Sequence, residues 1–176
     1  MKKINLLLLV ILSLTGLQSL EANVTLPAIV SSNMVLQRNT TVKLWGWAEA
    51  GEQITIKTSW LKKSISFQAD AEGNWKTEVK TTNSKAAQTI SIKSSDSDIV
   101  LDNILFGEVW LCSGQSNMEM TMLGWPPRDT VANSAYEISQ INNTSIRMFS
   151  ASRSFSTVPE QSSKGKWKTA DPINAK

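Results

Sequence analysis

The chain has no histidine and a single cysteine, Cys112, among its 176 residues. Without an imidazole no side chain here exchanges a proton near neutrality at its ordinary pKa, so a self-contained Ser-His or Cys-His pair is excluded. One cysteine cannot close an internal disulfide, and the fold must hold by packing. The sequence also lacks metal-ligand spacing and a glycine-rich phosphate loop. No cofactor is implied. Long apolar runs are missing too, since Leu6 to Leu12 is too short to span a bilayer. Charge of one sign is not concentrated: 18 Lys and Arg face 15 Asp and Glu, and the basic residues stand singly, which argues against a nucleic-acid surface. There is no internal repeat and no low-complexity tract.

What is present begins with an export signature. Lys2 and Lys3 precede the apolar Leu6 to Leu12, and Ala22 offers a small residue for cleavage. Residues 1–22 therefore read as a signal peptide, and the mature protein as secreted or periplasmic.

Residues 23–103 alternate in the manner of short strands. Val42, Leu44, Gly46 and Ala48 share one face, as do Ile54, Ile56 and Thr58, then Ile65, Phe67 and Ala69, then Trp75, Thr77 and Val79, and last Ile90 and Ile92. Asp70 to Asn74 looks like the loop of a hairpin. Five or more strands at this spacing predict an antiparallel β-sandwich. Core filling is the common use of alternating Trp45, Trp47, Trp60 and Trp75 in such a fold, with a sugar-stacking platform as the alternative.

The texture changes at Ile104. Residues 104–112 are almost continuously apolar, as in a strand buried on both faces of a parallel sheet, and Cys112 within them reads as a buried, inert thiol. Val131, Ala135, Ile138 and Ile141 predict a helix over residues 130–141 with Asp129 as its cap, and Ile146 to Phe149 a second buried strand. Strand, helix and strand make one parallel crossover, the incomplete start of an α/β domain over residues 104–176. The tail from Ser150 reads as loop. Such a sheet cannot cover its own faces, so the domain is expected to continue in a longer chain.

Chemistry concentrates in Gly107-Glu-Val-Trp-Leu-Cys-Ser-Gly-Gln-Ser-Asn-Met-Glu119. A serine past the end of a central strand lies where α/β sheets bind ligands. Gly114 permits close backbone approach, and a helical turn after Ser116 would aim N–H groups at a developing oxyanion. Taken alone, Ser116 reads first as a helix-capping serine. Glu119 suits a first helical turn, and Trp125 beside Pro126 and Pro127 is either a pocket rim or a loop anchor. Asn23, Asn39, Asn142 and Asn143 each begin an Asn-x-Ser/Thr sequon.

This run resembles the first block of SGNH hydrolases, with Gln115 at the usual Asp position, as in the sialate O-acetylesterase branch. Ser32 to Arg38, Trp45 to Ala48, Ile146 to Phe149 and Gly165 to Trp167 are similar to the same family. The resemblance implies a flavodoxin-like SGNH domain after the sandwich, with Ser116 as catalytic nucleophile and its backbone N–H as part of the oxyanion hole. It implies an acetyl-enzyme route to O-acetylated sialic acid or another acetylated glycan, without cofactor or metal. The family's remaining oxyanion donors and its Asp-x-x-His segment have no counterpart here, so the 176 residues alone are expected to be inactive. The alternatives are an acetyl-xylan-type esterase and a non-catalytic carbohydrate-binding sandwich.

Overall fold

Period-two alternation does what it predicts through residue 93. In the computed structural model, which describes residues 23–175, β2 (Thr41–Trp47) buries Leu44 and Gly46, and β3 (Gln53–Thr58) buries Ile54, Ile56 and Thr58. β5 (Asn74–Lys80) buries Trp75 and Val79, and β6 (Gln88–Lys93) buries Ile90 and Ile92. The signal-peptide reading of residues 1–22 lies outside the described residues. With β1 (Val35–Gln37), β4 (Ile65–Gln68) and β7 (Asp98–Gly107), these strands form a five-stranded sheet in the order β1-β7-β6-β3-β4 and a separate β2-β5 ribbon. Leu44, Trp75 and Val79 of the ribbon share one apolar cluster with Met34, Ile54, Ile56, Ile90, Ile92, Leu101 and Ile104. Each such side chain, fully buried, contributes roughly 1.5–3 kcal/mol. Trp75 belongs to that core and Trp45 and Trp60 pack against it, which is the core-filling use of tryptophan.

Two pairings differ from expectation. The Asp70 to Asn74 loop does not close a hairpin, because β4 pairs with β3 and β5 with β2. The turn instead carries the chain from one sheet to the other. Asp70 Oδ1 accepts the amide hydrogens of Glu72 and Asn74 at 3.1 and 2.7 Å, and Gly73 supplies φ +77°. Turn residues specify a reversal and leave the partner strand open. The sheet is also not purely antiparallel: β1 runs parallel to β7, with Val35 opposite Leu105.

The second half departs further. The strand expected over residues 104–112 stops at Gly107 as the end of β7. β10 (Asn143–Ala151) does not join it by a parallel crossover and instead pairs antiparallel with β11 (Gly165–Ala170), inside the stretch expected to be loop. A strand carrying only Trp167 and Ala170 as apolar residues gives little alternation to detect. The helix is shorter than expected, Ser134–Gln140, with Asn133 at its N-cap and only Ile138 buried. Asp129 lies in β9 (Asp129–Thr130) opposite Trp125 of β8 (Gly124–Trp125) and caps nothing. The described chain is thus mostly β with few helices, and no described helix is long and apolar enough to cross a membrane.

Candidate active site

β7 ends where its neighbours run out. β6 last meets it at Gln88 opposite Ile104, and β1 at Gln37 opposite Gly107. The final backbone bond is Arg38 N–H to Gly107 O at 3.0 Å. From Glu108 the chain runs on without a strand partner, and Trp110 and Leu111 stand 83% and 94% exposed. The expected burial of this run is therefore corrected, and with it that of the Cys112 thiol, which is exposed. An apolar run announces a wish to be covered; it cannot supply the cover.

Ser116 opens a helical turn, Ser116–Glu119, with Gln115 at the N-cap. The amides of Met118 and Glu119 both bond Gln115 O, at 2.9 and 3.3 Å, and Met120 N–H bonds Ser116 O at 3.0 Å. Gln115, not Ser116, ends the helix, and no side chain caps it. The capping role open to Ser116 is thus not what holds it. At Gly114 a Cβ would come within 2.5 Å of Met118 Cγ, so the glycine lets the Met118 side chain lie against the backbone there. Glu119 sits in the first turn and pairs with Arg153.

Ser116 lines a groove of about 1840 Å³. One wall is the serine arm, Leu105 to Glu119; the other is β10 from Ser145 to Ala151, with Trp167 of β11 behind it. Phe149 and Trp167 pack with 5.5 Å between ring centres and their planes tilted by 57°. Three cations, Lys85, Arg147 and Arg153, and two carboxylates, Glu108 and Glu119, share the lining. Glu108 is held below the usual carboxylate range, first by the Gln37 hydrogen bond and then by Arg38. Burial lowers the Arg147 pKa. Trp125, a candidate rim residue, does not line this groove, whereas Trp110 does. Sequence reading missed Glu108 and Arg147 as groove residues, although both lie inside the family-like runs; nothing in the local pattern distinguishes them from surface charges.

The arrangement offers an exposed hydroxyl with an adjacent backbone amide, Ser116 N–H, that has no hydrogen-bond partner among the described residues. A proton acceptor of the usual kind is missing from the sequence, which has no histidine. Among the described residues no cluster of His, Cys, Asp and Glu could hold a metal ion.

No protein-family profile matches the chain. It is 28% identical over 135 residues to the sialate O-acetylesterase of Rattus norvegicus, a match that takes in 70% of this chain and 23% of that protein. The sialate O-acetylesterase of Homo sapiens is 30% identical over 106 residues, 53% of this chain and 20% of that one. Among solved structures, a carbohydrate acetylesterase from Xanthomonas citri superposes with TM-score 0.78 at 27% identity, over 86% of this chain and 34% of its own. The chain spans about a fifth to a quarter of the curated relatives' length. It is similar in sequence to the sialate O-acetylesterases, and in sequence and fold to a carbohydrate acetylesterase.

Proposed function

We propose that this chain carries the nucleophile of a serine carbohydrate esterase that removes O-acetyl groups from sialic acid or a related acetylated sugar. The observation that carries the reading is Ser116 itself: exposed, at the start of a helical turn, on the wall of a groove large enough for a sugar. Its hydroxyl attacks the acetyl carbonyl and forms an acetyl-enzyme, the sugar oxygen leaves with a proton, and water then releases acetate. The Ser116 N–H stabilises the tetrahedral oxyanion, and such a donor is typically worth about 10²–10³ in rate. The base that takes the hydroxyl proton comes from outside these 176 residues. On the same reading, the apolar run that ends at Cys112 completes the first central strand of an SGNH-type α/β domain once further residues pair with it. Residues 1–22 direct export to a secreted or periplasmic site.

Purified alone, the 176-residue chain is expected to leave an aryl acetate unhydrolysed. A longer protein that extends it to the length of its relatives is expected to deacetylate O-acetylated sialic acid, with Ser116→Ala cutting the rate at least about 10³-fold. Full activity in Ser116→Ala removes the proposal, and preference for acetyl-xylan moves it to the plant-glycan esterases.

A further inference from the structure

Both walls of the groove are fastened to one short segment, Asn33 to Arg38. At its far end Gln37 spreads its amide across the root of the serine arm. Nε2 donates to Glu108 Oε2 at 2.8 Å, and Oε1 accepts the Val109 N–H at 2.9 Å. Arg38 Nε donates to the other carboxylate oxygen, Oε1, at 2.7 Å. Gln37 is itself anchored, because the buried Thr81 hydroxyl bonds its carbonyl at 2.7 Å. At the near end Asn33 O accepts Arg147 Nη1 at 3.1 Å, which places β10. Asn103 Nδ2 donates to Asn33 Oδ1 at 2.7 Å, and Asn103 Oδ1 accepts Arg147 Nη2 at 3.2 Å. Asn103 can do this because β7 carries an irregularity there: Ile90 faces Leu101 and Gln88 faces Ile104, so β7 spends one residue more than β6. Asn33 and Asn103 both adopt positive φ, 69° and 52°, a conformation asparagine tolerates better than most side chains.

We infer that Asn33 to Arg38 is a positioning clasp: Gln37 sets the direction in which the serine arm leaves β7, while Asn33 with Asn103 sets where β10 stands opposite. Its importance to catalysis rests on the reading of Ser116 as nucleophile; its mechanics do not. An exposed Arg–Glu pair alone holds little, so the two bonds of the Gln37 amide are the critical ones. Leverage explains why direction matters. The arm from Val109 to Ser116 reaches at most about 23 Å at roughly 3.3 Å per residue. A swing of about 10° at its root would move the hydroxyl by up to about 4 Å, against a catalytic tolerance of about 0.5 Å.

Cys112 is exposed and is the one cysteine of the chain, so a nitroxide placed on it, in a Trp110→Ser, Leu111→Ser background that suppresses self-association, reports the serine arm. In the 176-residue chain, Gln37→Ala is expected to shorten the label's correlation time at least about threefold and to speed exchange of the Val109 amide about tenfold. Core amides of Ile56 and Ile92 stay protected. Gln37→Glu sets a carboxylate against Glu108 and loosens the arm at neutral pH. Acidification into the carboxylate range restores restriction as the introduced carboxyl gains a proton to donate, a response that mere support of the fold would not give. Arg38 faces Glu108 from the end of β1, and Lys85 is a further cation in the groove lining. Unchanged label motion and Val109 exchange in both variants overturn the clasp, as does equal loss of protection at Ile56 and Ile92. Survival of hydrolysis in Ser116→Ala would end the esterase reading and leave both readouts untouched.

Discussion

At the scale of single residues, what decides is how many neighbours a side chain has already secured. Ile90 is completely buried between two sheets. Truncation to alanine there leaves a cavity that packed strands cannot close, and Ile90→Ala is expected to cost about 2–5 kcal/mol in urea unfolding followed by tryptophan fluorescence. Glu108 is the opposite case, exposed and held only by directional bonds from Gln37 and Arg38. Those bonds favour the charged form and keep its folded pKa below the ordinary 4.5. A depressed carboxylate contributes to stability above its unfolded pKa and loses that contribution as pH falls through the folded one. Carbon-detected NMR titration is thus expected to place Glu108 below 4.5, and Gln37→Ala to raise it. Ser116 and its motif are visible in one dimension because the motif is a run of consecutive residues; Arg147 is not, because its partners Asn33 and Asn103 are remote in sequence.

Elements show where local pattern suffices and where it stops. β2, β3, β5 and β6 are legible because a half-buried strand must alternate, and burial follows the alternation. Their partners are not legible, since alternation says which face is covered and nothing of which strand lies alongside. The Asp70 to Asn74 turn is the clearest instance. It has hairpin chemistry and yet joins two sheets, and Gly73 must hold its φ of +77° with Ala48 O only 2.5 Å from where a Cβ would sit. Gly73→Ala is expected to destabilise by about 1–3 kcal/mol, seen as a lower Tm with an unchanged far-UV spectrum. The Ile104 to Cys112 run misleads for a related reason. Its composition is that of a buried strand, but β7 exhausts the backbone partners available to it at Gly107.

For the molecule as a whole, the first half closes a core and the second half leaves apolar surface open. Val109, Trp110, Leu111, Ile146 and Phe155 are all exposed, more than a lone soluble domain usually leaves in the open. The 176-residue chain is expected to self-associate at micromolar concentration. Sedimentation velocity of a Trp110→Ser, Leu111→Ser double variant is expected to shift toward monomer, with its Tm within about 1 °C of the parent because neither side chain packs in the core. Persistence of the same oligomers would place the sticky surface elsewhere.

From the sequence by itself come the facing of the first five alternating strands, the missing histidine, and the serine at the head of a helical turn. Each of these is decided by residues within a few positions of one another, where sterics and periodicity act directly. Tertiary structure alone decided that β1 lies parallel to β7, that β10 pairs with β11, and that Asn33 to Arg38 grips both walls of the groove. Backbone hydrogen bonds carry no label of their partner, so the choice belongs to whichever strand the core brings alongside.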